Sequence, residues 1–127
     1  MSNPTFVQGP ITFEAAEKLE KFTLVAVNDE GKIAPAGATG AIFGAVTEVA
    51  DPGNVAKPNH VAVHYGPAAV KLLVDGGDAT AIKAGAAVFA AAKGRVAASG
   101  TVQVGVAVRD GEGERVLTVL NSLPTAG

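Results

Sequence analysis

The chain contains two copies of one apolar unit, at residues 22–46 and 85–107. Each copy consists of short hydrophobic segments separated by glycine turns, and the offset between copies drifts from 63 residues at the first turn to 61 at the later glycine. No reactive side chain recurs or converges in either copy, so the repeat indicates a duplicated scaffold. The matched positions are Leu19 with Ile82, Val25 with Val88, Gly31-Lys32-Ile33-Ala34 with Gly94-Arg95-Val96-Ala97, and Gly44-Ala45-Val46 with Gly105-Val106-Ala107.

From residue 22 onward, apolar residues alternate with polar ones in segments bounded by turn residues, which is typical of strands. Tight turns are expected at 28–31 and 92–94, and residues 110–114 close the last hairpin. Short strands without helices between them predict an all-β fold, a small antiparallel barrel or sandwich with an internal pseudo-repeat. The predicted strands lie near 22–27, 32–35, 41–49, 59–65, 69–74, 86–90, 95–98, 102–109 and 115–120. The repeat assigns structural roles, as turn glycines that the backbone requires, to Gly31, Gly44, Gly94 and Gly105.

A helix is predicted only within residues 11–22, where apolar residues recur at spacings of three and four, and it is expected to be a single turn. Alternation in the strand at 102–109 places Val102, Val104, Val106 and Val108 on one face. The last strand is apolar on both faces. We therefore expect that strand to be covered twice, with a neighbouring subunit as a candidate for the second cover.

The length fits one domain, with an extended N-terminal arm at 1–10, a β-domain at 11–121 and a C-terminal tail at 122–127. The composition is 48% hydrophobic, yet it is dominated by 25 Ala and 18 Val, against 5 Phe, 1 Tyr and no Trp. Small side chains bury little apolar area each, so the core is expected to be thin for the length of the chain. Domains with a small core often gain stability by forming oligomers.

Composition also excludes several classes of function. The absence of cysteine rules out disulfides, thiolate metal sites and a cysteine nucleophile. The net charge is −2 and the ten Lys and Arg residues form no basic run, which disfavours nucleic acid and anionic membranes as partners. No apolar stretch approaches the roughly 20 residues that cross a bilayer, and the N-terminus lacks signal-peptide features. We expect a soluble protein made in a cytoplasm.

The two histidines, His60 and His64, are candidate metal ligands. On a strand they share one face but lie about 13 Å apart, which is too far for one zinc ion. Solvated surface histidines are the preferred interpretation. Ser99-Gly100 lacks the G-x-S-x-G context of a nucleophile elbow, and no GxGxxG precedes a helix.

Two acidic groups, Asp75 with Asp78 and Glu112 with Glu114, flank glycines and are interpreted as solvated turns. Calcium binding would require more oxygen ligands at closer spacing. The segment 76–85 has some features of a lipoyl or biotinyl carrier domain, but it lacks a lysine at a suitable hairpin tip. The sequence therefore predicts no catalytic, cofactor-binding or metal site, no cofactor and no enzyme activity.

The order of the motifs along the chain resembles the capsid decoration, or cement, proteins of tailed bacteriophages. Each motif is a strand joined to a turn, and their succession covers nearly the whole chain. Phe22, where the second copy has Gly85, and the proline-bearing loop 50–58 depart from the pattern. The motifs are F-x-A-x-x-x-L-x-x-F-x-L-V at 13–25, D-x-G-K-I at 29–33, G-A-V-T-E at 44–48, V-A-V at 61–63, I-K-A-G-x-x-V at 82–88, K-G-R-V at 93–96, G-V-A-V at 105–108 and V-L-T-V-L at 116–120.

The resemblance implies a structural virion protein, made in the host bacterial cytoplasm, that binds the outer capsid surface and stabilises the expanded shell. Its partner would be the major capsid protein, and a homotrimer is expected. The arm is either a frayed terminus or a segment that becomes ordered on the shell. A carrier domain or a small-ligand-binding β-barrel subunit of an enzyme is the alternative function. The expected capsid-interface residues are Pro4, Thr5, Phe6, Val7, Gln8 and Pro10.

Overall fold

The computed structural model describes residues 10–125, which form ten strands in two five-stranded sheets. All strand pairs within the sheets are antiparallel, and one of the sheets is curled into a half-barrel. The predicted all-β fold is confirmed. The strands are β1 Ile11–Glu14, β2 Thr23–Val27, β3 Ile33–Pro35, β4 Gly44–Val46, β5 His60–His64, β6 Ala69–Leu73, β7 Ala87–Ala90, β8 Val96–Ala97, β9 Gln103–Ala107 and β10 Arg115–Val119.

The helical turn predicted within residues 11–22 is wrong. Residues Ile11–Glu14 form strand β1, which pairs with β5. Ala15 then makes a parallel bridge to Ile33, and Leu19 an antiparallel bridge to Ala50. Ala15 and Leu19 are buried because both bridges bring them against the first sheet, so their spacing of four reflects two separate contacts and not one helical face.

The duplication extends over almost the whole described chain. The first sheet has the order β1-β5-β4-β2-β3 and the second has the order β6-β10-β9-β7-β8, so the strands of residues 11–64 (the first half) correspond one to one with those of 69–119 (the second half). Each sheet is therefore one copy of a five-stranded unit. The repeat in the sequence reveals only the central part of that unit, because β1, β5, β6 and β10 have diverged in sequence.

Backbone hydrogen bonds outside the ladders recur at equivalent positions of the two halves. The Ala15 N–H donates to the Asn59 carbonyl at 2.8 Å, and the Val74 N–H donates to the Glu114 carbonyl at the same distance. Phe22 and Gly85 also correspond: their N–H groups donate to Val46 and Ala107 respectively, both at 2.8 Å. Phe22 has φ +64° and Gly85 has φ +80°, so the phenylalanine adopts a left-handed backbone that normally favours glycine.

Gly44 and Gly105 lie inside strands β4 and β9 and not at turns, in contrast to Gly31 and Gly94, whose φ angles of +77° and +75° are left-handed. A Cβ added to Gly44 would lie 2.2 Å from the His64 carbonyl oxygen. A Cβ on Gly105 would lie 1.9 Å from the equivalent Val119 carbonyl oxygen. The backbone does require glycine at these two positions. The reason is the close approach of a neighbouring strand, not a turn.

The shared face predicted for the four valines of residues 102–108 is wrong, because the pairing of β7 with β9 shifts register. Val88 pairs with Gly105 whereas Phe89 pairs with Gln103, so Val104 is an extra residue that forms a bulge. Val102 and Val104 consequently pack on the core side, whereas Val106 lies half-buried on the opposite face. Val108 is 43% exposed.

Two clusters of buried apolar side chains form the core. The smaller cluster belongs entirely to the first half and includes Leu19, Val25, Ile33 and Val63. The larger cluster combines the second half with side chains from the first half, and thereby joins the two sheets. Its contributions from the first half are Leu24, Ala36, Ile42 and Ala45, with Ala26 packed against them.

The C-terminal segment after β10 packs on the domain. Leu123 is 6% exposed and belongs to the larger cluster. The Thr125 N–H donates to the Ile42 carbonyl at 2.8 Å, which ties the segment to the first half. Residues 122–125 therefore belong to the folded domain, whereas the sequence assigned them to a separate tail.

Candidate functional site

The expected capsid interface falls mostly outside the described residues. Pro4, Thr5, Phe6, Val7 and Gln8 all lie there. Pro10 is described: it is exposed and immediately precedes β1, the edge strand of the first sheet. The described part of the interface is thus one proline at the end of an edge strand.

The two histidines lie on the face of β5 opposite the buried Val61 and Val63, as the alternation predicts. His60 is exposed and its Nδ1 lies 2.8 Å from the Asn59 side-chain oxygen, whereas His64 is half-buried. Within residues 10–125 no group of three or more His, Cys, Asp or Glu side chains is placed to hold a metal ion.

The acidic residues of the glycine turns are exposed to solvent. Asp78 accepts hydrogen bonds from the hydroxyl of Thr80 at 2.6 Å and from its backbone N–H at 3.0 Å. These bonds stabilise the carboxylate and lower its pKa below the ordinary value. Since both bonds come from the same turn, Asp78 shapes the local backbone, as expected for an Asx turn.

A cavity of about 340 Å³ opens on the second sheet at its edge with β6. Three of its lining residues are cationic, two are acidic and only one is aliphatic. Ligand pockets are lined predominantly by apolar side chains, and the mostly charged lining of this cavity differs from that pattern. The lining residues are Lys71, Arg109, Asp110, Glu112, Arg115 and Leu117.

Arg115 also lines a neighbouring cavity of about 360 Å³, together with Lys18, Lys21 and Lys57. Its guanidinium carbon lies 4.6 Å from the centroid of the Phe22 ring, a cation–π distance. The ion pairs among the described residues are Lys32 with Glu14 and Arg95 with Glu20, both 3.3 Å at the surface. Arg115 and the three lysines beside it form no ion pair with another described residue.

An aromatic ladder lies at one end of the first half. Phe13 and Phe43 meet edge to face with ring centroids 5.3 Å apart, and Phe43 meets Tyr65 in the same manner at 5.6 Å. All three are half-buried. Alternation along β5 puts Tyr65 on the same face as Val61 and Val63, but nothing in the alternation shows that the three rings remain partly open.

A row of apolar residues crosses the outward face of the second sheet, which also carries Lys71 and Arg115. Val119 pairs with both Ala69 and Val106, and Val106 pairs in turn with Ala87, which makes a continuous apolar row across four strands. Leu117 extends the face along β10. This arrangement agrees with the expectation that the last strand is apolar on both sides.

Comparisons of the chain with protein-family models, with curated proteins and with solved structures found no match. The described chain contains no helix with the length and hydropathy needed to cross a membrane.

Proposed function

We propose that the protein is a decoration protein of a tailed-phage virion. In this proposal it binds the outside of the expanded shell, contacts the major capsid protein and stabilises the shell as a homotrimer, without catalysis. The observation that carries the proposal is the order of the strand-and-turn motifs over residues 13–120, which resembles that family. These motifs fall on the strands and turns of the duplicated sheets.

The surface chemistry of the described residues supports a role in binding to a protein surface. The cavities around Arg115 are lined by charges of both signs, which suits complementary contacts with another protein. Many copies that each hold two or more shell subunits would add stability through multivalency, even where each contact is weak.

The direct test is binding to purified shells. The protein is incubated with emptied, expanded shells of the phage that encodes it, and bound and free protein are separated by sedimentation. The proposal predicts saturation at a copy number that matches the shell symmetry, together with a higher melting temperature of the shell. Absence of binding would contradict the proposal. A lipoyl or biotinyl lysine found by mass spectrometry would favour the carrier alternative instead.

The arm is tested in the same assay. Deletion of residues 1–10, or the double substitution Phe6→Ala with Val7→Ala, is expected to weaken binding while circular dichroism stays unchanged. Val55→Ala is the matched control, because Val55 is fully exposed in the loop before β5. Equal binding by the arm variants and this control would show that the arm makes no contact with the shell.

A further inference from the structure

Five apolar positions that are buried in the second half are only half-buried or exposed in the first half. Five apolar residues of the first half are half-buried or exposed; we call them the rim, and they are Ile11, Phe13, Val27, Phe43 and Tyr65. Their equivalents in the second half, matched by strand register, are at most 6% exposed. The pairs are Ile11 with Val70, Phe13 with Leu72, Val27 with Ala90, Phe43 with Val104 and Tyr65 with Leu120.

The second half is closed because the first half covers it. The outward face of the first sheet supplies Leu24, Ala26 and Ala45 to the larger core cluster, which also contains the second-half equivalents of the rim, such as Leu72 and Val104. The halves thus pack head to tail: the outward face of the first half lies on the side of the second half that corresponds to the rim.

Two backbone hydrogen bonds that join residues 11–64 to residues 69–119 have the same polarity. The Leu73 N–H donates to the Phe22 carbonyl at 2.8 Å, and the Gly94 N–H donates to the Ala36 carbonyl at 2.6 Å. In each bond the second half donates and the first half accepts. An interface with two-fold symmetry would contain each contact twice, in both directions. The internal interface is therefore heterologous. It leaves two surfaces uncovered, the rim of the first half and the outward face of the second sheet.

The two uncovered surfaces match each other, because their equivalents within the chain already pack together: the outward face of the first sheet lies on the second half. The residues of the second half that correspond to Leu24, Ala26 and Ala45 are half-buried and lie outside both core clusters. Together with the neighbouring apolar residues of β10 they form what we call the outer patch. The outer patch consists of Ala87, Phe89, Val106, Leu117 and Val119.

We propose that the occupant of the rim is a second copy of this chain, whose outer patch packs on the rim as the first half packs on the second half within one chain. The interface continues the internal one, with the same sheet face meeting the same open end. It also explains why Val27, at the end of β2, is 37% exposed although its equivalent Ala90 is buried. Because such an interface joins unlike surfaces, repetition with closure gives a ring of copies.

The proposal supplies an interface for the homotrimer of the proposed function and rests on it to that extent. The test uses the full-length chain without shells, so its failure can be told apart from a failure to bind the capsid. Three matched substitutions are compared by sedimentation velocity: Val27→Glu in the rim, Val106→Glu in the outer patch, and Val55→Glu as the fully exposed control. The wild type and Val55→Glu are expected to sediment as one closed species of several 12.6-kDa chains. Either interface variant alone is expected to shift to the mass of a single chain, and circular dichroism checks that each variant is folded.

The decisive measurement is the mixture of Val27→Glu and Val106→Glu. One variant has an intact outer patch and the other an intact rim, so the mixture is expected to form a 1:1 dimer and nothing larger. A mixture that stays monomeric, or single variants that keep the wild-type mass, would overturn the proposal. A monomeric wild type would also overturn it, and association after deletion of residues 1–10 would then identify the chain's own N-terminal segment as the occupant.

A second measurement covers the case in which a buried glutamate prevents folding. The chain has no cysteine, so Phe43→Cys and Val106→Cys each introduce a single thiol. Oxidation of the mixed proteins is expected to give a disulfide-linked dimer of the two variants. The same yield from Val55→Cys mixed with Phe43→Cys would show that the link is random collision and would refute the interface.

Discussion

The close approach of strands β9 and β10 at Gly105 predicts a large effect of one methyl group. In Gly105→Ala the new Cβ would lie 1.9 Å from the Val119 carbonyl oxygen and 3.0 Å from Cγ2 of Thr118. An ordinary contact is 3.4 Å or longer, so β10 must move by about 1.5 Å against a normal strand spacing of about 4.8 Å. That movement breaks the ladder at the pair of Val119 with Val106.

The cost follows from these distances. Losing about two backbone hydrogen bonds costs roughly 2 kcal/mol, and overpacking adds about 1–3 kcal/mol. Gly105→Ala is therefore expected to lower the free energy of unfolding by about 3–5 kcal/mol, a large fraction of the usual 5–15 kcal/mol or so. The melting temperature should fall by about 10–20 °C for a domain of this size.

Urea unfolding of Gly105→Ala beside Gly31→Ala tests this reasoning. Gly31 has φ +77° but its added Cβ would meet nothing within 4 Å, so that substitution costs only the left-handed backbone term, about 1–2 kcal/mol. Gly44→Ala is expected to behave like Gly105→Ala, because its Cβ would lie 2.2 Å from the His64 carbonyl oxygen. If Gly105→Ala lost no more stability than Gly31→Ala, the steric argument would be refuted.

Two further substitutions test the backbone at Phe22 and the C-terminal segment. Phe22→Gly is expected to be more stable than Phe22→Ala by about 1 kcal/mol in urea unfolding, because both lose the ring beside Arg115 but only glycine relieves the positive φ; equal stabilities would show that the left-handed backbone carries no strain. Leu123→Ala is expected to cost about 2–4 kcal/mol in thermal unfolding since Leu123 is buried in the larger cluster; a loss no greater than that of Val55→Ala, at a fully exposed position, would mean that the C-terminal segment adds nothing to the core.

The strands were predictable from sequence because their alternation is local. The bulge at Val104 was not predictable, because nothing within residues 102–108 marks one residue as extra. The bulge shows only in the pairing of β9 with Val88 and Phe89 of the neighbouring strand. Strand β1 was missed for a related reason. The burial of Ala15 and Leu19 comes from bridges to distant residues, and a spacing of four suits those bridges as well as it suits a helix.

Phe22 and Gly85, which differ between the two copies of the repeat, occupy equivalent positions in the two sheets. Both residues adopt a left-handed backbone and donate the same hydrogen bond, so a phenylalanine occupies a position whose geometry favours glycine. Sequence alone suggested a local departure at this point. The structure shows that the backbone is conserved while the side chain differs, and that the ring stacks on Arg115 beside the charged cavities.

The rim could not be derived from periodicity, because Phe13 and Tyr65 occupy positions that read as core in any single strand. Whether such positions are closed depends on what lies over them, and that differs between the two halves although their strand order is the same. In a chain with two equivalent halves packed head to tail, the first half covers the rim-equivalent positions of the second half, and the rim of the first half stays uncovered. If its copies join through the same kind of contact, a ring of any number of copies contains twice that number of similar halves around its axis. The homotrimer expected of a decoration protein would then present six similar halves, so the duplication would give a three-fold particle an approximate six-fold outline.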